Sequence, residues 1–176
     1  TRVITTKIAY LINQKNVTPH SILAVTFTKK AAKEMMDRAV KLEPRAQSSM
    51  IRTFHSFGSW FLRKYYEHAG IAKNFTVYDD DDMITLVSKA IPELNKAQAS
   101  SVAHHISLAK DYCYLPDSPH LSDITNDLDF PRYYKFYQQR LRQTGNVDFG
   151  DLIMLPVLLL EQNEQTRCQM HYRFKV

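Results

Sequence analysis

The sequence predicts an α/β fold, a short parallel sheet joined to a mostly α-helical subdomain. Two observations carry that expectation. Two short apolar runs, near Ile22 and near Ile51, each turn directly into a segment of helical periodicity. Past Ala69-Gly70 the pattern changes, and apolar residues recur at helical spacing through segment after segment.

The first element is a helix over residues 2–16. Ile4, Ile8 and Leu11 form its expected buried stripe, backed by Val3 and Ile12. Pro19 closes the connection to the first strand. Ile22, Leu23, Ala24, Val25 and Phe27 then form a nearly continuous apolar run. Such a run suits a strand buried on both faces of a parallel sheet. Thr26 and Thr28 add β-branched residues. Thr28 is the expected N-cap of the next helix, with Ala32, Met35, Ala39 and Leu42 on one face. Lys29, Lys30 and Lys33 flank that helix start. Open amides, helix dipole and ammonium groups together favour a phosphate there, although a solvated basic face is the plainer alternative. Glu43-Pro44 breaks the helix and leads into a polar turn.

Residues 50–56 repeat the layout as a second strand and helix. Ser56 is placed to cap, and Phe57, Phe61 and Tyr65 recur at i, i+4 and i+8. His55 has no nucleophile or carboxylate partner placed by motif, so general-base chemistry is not indicated. Phe27 and Phe54 are either core residues or exposed faces for a base.

Residues 75–78 are extended. Asp79 to Asp82 open a helix through Ile91; contiguous acids suit a cap and the dipole better than a calcium loop, which spaces its ligands around a glycine bend. Residues 96–112 form a helix with Ala99, Val102, Ile106 and Ala109 on one face. His104 and His105 are adjacent and diverge, a poor chelating pair. A further helix runs over residues 131–143, rich in Tyr and Arg; that alternation suits nucleic-acid binding, with amphipathic side chains along a rim as the commoner reading. Gly145-Asn146 stops it. Asp148 is placed to cap a helix to Glu161, residues 165–172 form another, and Phe174 starts a strand.

Charge is uneven. Residues 1–70 hold 12 Lys and Arg against 4 Asp and Glu, and residues 71–176 hold 11 against 14. A basic half suggests a polyanionic partner on one side. Two cysteines, Cys113 and Cys168, give no disulfide framework or ligand pair, which fits a reducing, cytoplasmic setting. No signal-peptide pattern and no apolar run of membrane-spanning length appear.

Several of these segments also carry a family resemblance. Ala24-Val25-Thr26-Phe27-Thr28 with Lys30-Ala31-Ala32 resembles motif Ia of the UvrD/Rep family of superfamily 1 DNA helicases. Thr53-Phe54-His55-Ser56 resembles their motif Ib, and the segment from Val147 to Ile153 resembles the stretch where that family's chain re-enters its first motor domain. The opening Thr1-Arg2-Val3-Ile4 is similar to the residues just after the Gly-Lys of the family's phosphate loop, and residues 172–176 to the approach to the Walker B strand. Lys29 stands where the family commonly has Asn, a cation in place of an amide.

The resemblance implies a partial RecA-like P-loop NTPase sheet with a helical insertion. Residues 1–57 and 147–176 would belong to motor domain 1A, and residues 58–146 to subdomain 1B, over the duplex ahead of the motor. It implies an ATP-dependent helicase that moves on single-stranded DNA, usually 3′ to 5′, and unwinds duplex at a single-strand/double-strand junction. ATP and Mg²⁺ are the implied cofactors. Thr1 and Arg2 would lie at the nucleotide, with the Thr1 hydroxyl on Mg²⁺. Thr26, Phe27, Thr28, Lys29, Lys30, Thr53, Phe54 and His55 would contact single-stranded DNA. The segment holds no phosphate-loop lysine, Walker B carboxylates or arginine finger, so these 176 residues are not expected to hydrolyse ATP. A non-catalytic nucleic-acid-binding module and the motor part of a helicase–nuclease subunit are the alternatives.

Overall fold

The computed structural model describes residues 2–176. In chain order the elements are α1 (Arg2–Gln14), β1 (Leu23–Thr26), α2 (Lys29–Leu42), β2 (Met50–Thr53), α3 (Phe54–Lys64), α4 (Tyr66–Ala69), β3 (Val77–Tyr78), α5 (Asp80–Ala90), α6 (Lys96–Asp111), α7 (Phe130–Gln143), β4 (Val147–Asp148), α8 (Asp151–Gln162) and α9 (Glu164–Arg173). The fold is α/β and mostly helical, with two small parallel sheets among the described residues. The chain divides into two compact units. One runs to Phe57 and resumes over Leu160–Val176; the other spans Gly58–Leu159.

In the first unit, β1 and β2 pair in parallel with Leu23 opposite Met50 and Thr26 opposite Thr53. Its core is Ile8, Ile12, Ile22, Met35, Ala39, Ala46 and Ile51. The buried face of α1 is Thr5, Ile8 and Ile12 rather than the expected Ile4, Ile8 and Leu11; Val3 and Ile4 are exposed. Both stripes satisfy helical spacing, and Thr5 is admitted because its hydroxyl donates to the Arg2 carbonyl at 2.9 Å. β1 is half-buried along its length, not enclosed on both faces. On α2, Met35 and Ala39 are buried as expected, whereas Leu42 at the helix end is exposed. After α9 the chain lies along the start of β1: the Lys175 amide donates to the Ser21 carbonyl and the Leu23 amide to that of Val176, both at 2.9 Å.

The second unit packs α5, α6 and α7 around Met83, Val87, Val102, Ile106, Phe130 and Tyr134. Asp79 and Asp82 form a reciprocal capping box at the start of α5, so the contiguous acids serve the helix start. Tyr133, Tyr134 and Tyr137 on α7 are buried, against the rim reading, while Arg132, Lys135 and Arg140 of that helix meet solvent. β3 and β4 pair in parallel, Tyr78 opposite Asp148. The turn before β4 rests on Gly145, at φ +71°, whose carbonyl accepts from the Ala72 amide at 2.9 Å.

A buried ionic cluster closes this unit. Lys110 Nζ donates to Asp148 Oδ2 and, at 2.9 Å, to Asp151 Oδ1, and all three side chains are fully shielded from water. The Tyr137 hydroxyl donates to Asp148 at 2.8 Å, and Arg142 forms an ion pair with Asp151 at 2.9 Å. Asp148 and Asp151 also exchange backbone-to-carboxylate hydrogen bonds that fix the turn ahead of α8; Asp148, the expected cap, stands three residues before the helix start. Burial by itself would raise the Asp151 pKa. The Lys110 ammonium and then the Arg142 guanidinium outweigh it and hold the carboxyl below its ordinary value.

Candidate nucleic-acid interface

The sequence places Phe27 two residues before α2 and Phe54 at the first residue of α3. The parallel register makes these positions neighbours, since Thr26 and Thr53 are paired. The two rings lie 5.3 Å apart, tilted by 44°. Phe27 is 85% exposed and Phe54 40%, so neither belongs to the core. Ligands of open α/β sheets bind outside the carboxyl ends of parallel strands, which is where this pair stands.

Each junction is held by its own cap. The Thr28 hydroxyl accepts from the Ala31 amide at 3.1 Å, as the sequence predicts. The second cap differs from expectation. Thr53, not Ser56, is the N-cap: its hydroxyl accepts from the Ser56 amide at 3.1 Å, and the Ser56 hydroxyl accepts from the Thr53 amide at 3.0 Å. This is the reciprocal capping box with serine in the place of the usual Glu or Gln. The helix therefore begins at Phe54, earlier than Ser56 implied, and that brings the Phe54 ring beside Phe27.

Lys29 and Lys30 are exposed in the first turn of α2, and that turn contains no acidic residue. Their ammonium groups add to the positive end of the helix dipole. Thr26 is half-buried at the end of β1 and His55 half-buried in the first turn of α3. Thr53 is buried and its hydroxyl is engaged within the cap, so it holds the turn beneath the rings. Arg2 is exposed at the start of α1, and Thr1 lies outside the described residues. One residue escaped the sequence reading. Arg52 is exposed on β2 between buried Ile51 and Thr53. The alternation of strand faces was the signal that could have found it.

The site is thus a pair of exposed aromatic faces with cations at a helix start, suited to stacking bases and holding phosphates. The family model for the UvrD/REP helicase N-terminal domain matches residues 1–176. The chain belongs to the UvrD/Rep helicase family. Among its relatives, the ATP-dependent DNA helicase Rep of Escherichia coli is 37% identical over 173 residues, covering 95% of this chain and 26% of that protein. The ATP-dependent DNA helicase PcrA of Bacillus subtilis is 35% identical over 173 residues, covering 92% of this chain and 23% of that protein. A probable DNA helicase II homolog of Mycoplasma capricolum is 37% identical over 175 residues, covering 94% and 24%. The chain spans about a quarter of the length of these relatives. Among the described residues, no helix of this family member is long and apolar enough to cross a membrane.

Proposed function

We propose that this chain is the single-strand grip and insertion region of an ATP-dependent DNA helicase. In that reading residues 1–57 and 147–176 belong to a RecA-like motor domain 1A and residues 58–146 to subdomain 1B. Phe27 and Phe54 stack on successive bases, while Lys29, Lys30, Thr28 and His55 hold the intervening phosphates. Thr26 and Thr53 position the two junctions. Stacking tolerates any sequence, as a motor that walks along DNA requires. The parent protein would use ATP and Mg²⁺, with Thr1 and Arg2 at the nucleotide, and would move 3′ to 5′ into a single-strand/double-strand junction in the cytoplasm. The observation that carries the reading is the exposed Phe27–Phe54 pair at the carboxyl ends of paired strands.

Single-strand binding by this chain tests it. A fluorescein-labelled oligothymidylate titrated with the chain is expected to bind in a salt-sensitive manner, without ATP hydrolysis. Phe27→Ala and Phe54→Ala should each weaken binding by ~1–3 kcal/mol, the usual cost of one lost base–aromatic stack. Unchanged affinity in both variants, or ATP turnover stimulated tenfold by DNA in the chain alone, rejects the assignment.

A further inference from the structure

The second unit carries an exposed aromatic column that the grip does not use. Tyr112 and Tyr114 stack at 5.6 Å with planes 22° apart, and Tyr114 and His120 stack at 5.4 Å with planes 26° apart. Tyr112 is 64% exposed and His120 is exposed. The backbone fixes the column. The Tyr114 amide donates to the Ala109 carbonyl at 2.8 Å, and the Tyr134 hydroxyl donates to the Tyr114 carbonyl at 3.0 Å. Cys113 between the tyrosines takes φ +57°, the left-handed turn that sets both rings on one side.

The sequence that carries this column is acidic, although Asp129 at its far end pairs with Arg132 at 3.6 Å. Residues 111–131 contain five aspartates and neither Lys nor Arg. Asp123 stands 3.5 Å from His120 Nδ1. Asp111, directly before Tyr112, also ends a groove between α5 and α6 that Asp80, Met83, Ile84, His104 and Leu108 line. The groove holds two aspartates, Asp80 and Asp111, and Asp111 is the chain neighbour of the first stacked ring. A nucleic-acid strand does not suit it, because the carboxylates repel phosphates. Guanidinium groups do, since they stack on aromatic faces and pair with carboxylates.

We propose that this face of the second unit docks an arginine-bearing segment of a partner protein. A guanidinium packs on the exposed face of Tyr112, Asp111 and Asp117 supply the counter-charge, and the groove between α5 and α6 takes the adjoining residues. The complementarity is opposite in sign to that of the basic junctions of the first unit, so one chain can hold a DNA strand and a basic peptide at separate places.

The probe is a fluorescein-labelled peptide of alternating Arg and Gly, followed by anisotropy against the chain, with Lys and Glu counterparts as controls. The Arg peptide is expected to bind and to weaken with salt, the Lys peptide to bind several-fold less well, and the Glu peptide not at all. Tyr112→Ala should reduce affinity by about tenfold while Tyr112→Phe keeps it, as a cation–π contact requires. Paired Asp111→Asn and Asp117→Asn should reduce it several-fold. Tyr112 is exposed, so an unchanged melting curve separates lost binding from lost fold. Equal affinity of the wild type and Tyr112→Ala overturns the proposal. So does displacement of the peptide by oligothymidylate from the wild type alone, which would make the face a nucleic-acid site. Self-association abolished by Tyr112→Ala would make the occupant a second copy, and also overturns it.

Discussion

Phe27 and Phe54, far apart in sequence, face each other at 5.3 Å because each follows the last residue of a strand and those two residues are register partners. The pairing is a product of the sheet. Slipping β2 by one residue would reverse its side-chain faces and carry Phe54 away from Phe27. The rings are held by backbone ladders and two caps rather than by enclosure, which leaves them open to a ligand.

Lys29 and Lys30 lie where a phosphate would meet the helix start. Each phosphate contact to a single strand contributes about 0.7 to the slope of log affinity against log salt. Paired Lys29→Ala and Lys30→Ala should therefore reduce the slope by up to ~1.4, with the stacking contribution kept. Oligothymidylate titrations across a salt series measure it, and an unaltered slope would remove both lysines from the interface.

Gly58 on α3 is a close approach rather than a turn. A Cβ there would overlap the Leu152 carbonyl of α8, which is rigid backbone and cannot swing aside. Gly58→Ala should destabilise the second unit by at least ~1–3 kcal/mol, the usual range for overpacking. Urea unfolding followed through Trp60, the only tryptophan, reads that unit directly. A wild-type midpoint would mean that the helices separate freely at this point.

Much of this arrangement was legible from local chemistry. Thr28 and the Asp79–Asp82 pair cap where the residue types require it, and apolar runs before each cap mark β1 and β2. The readings that failed depended on neighbours far away in sequence. The face of α1 is set by Met35, Ala39 and Ile51, against which Ile8 and Ile12 pack, and the α7 tyrosines are core because they pack with α5 and α6. Lys110 left a faint trace: it shares a helical face with Ala103 and Ile106, where a lysine must find a carboxylate. The pairing of β3 with β4 left none, since two-residue strands have no period to read.

Lys110 is predicted to be indispensable to the second unit. Lys110→Met leaves Asp148 buried without a cation, and removing one partner of a buried pair costs ~3–5 kcal/mol. Lys110→Met combined with Asp148→Asn should recover part of that loss. Trp60-monitored urea curves decide the matter; a double variant no better than the single would place the stabilisation elsewhere.

The same cluster sets a pH window. Asp151 has its pKa depressed in the fold, so its contribution is fully present above the ordinary carboxylate value of about 4 and is lost as pH falls through the native value. Tyr137 has its pKa raised, first by burial and then by the Asp148 charge. Its contribution is present below the ordinary tyrosine value of about 10 and is lost as pH rises beyond it. Stability should therefore fall at both extremes. Asp151→Asn should flatten the acid limb and Tyr137→Phe the alkaline limb, each read from urea midpoints across pH. Limbs that persist in both variants would contradict the assignment.

The separation of 38 residues between Lys110 and Asp148 also has a temporal meaning. At ribosomal rates of about 5–20 residues per second, Lys110 is made roughly 2–8 seconds before the first carboxylate that can neutralise it. Until Asp148 emerges, α6 can pack its apolar face only by stranding a cation. The second unit is thus obliged to complete its folding late, after β4 has been synthesised, and a ribosome that stalls before Val147 would hold a nascent chain that collapses without locking.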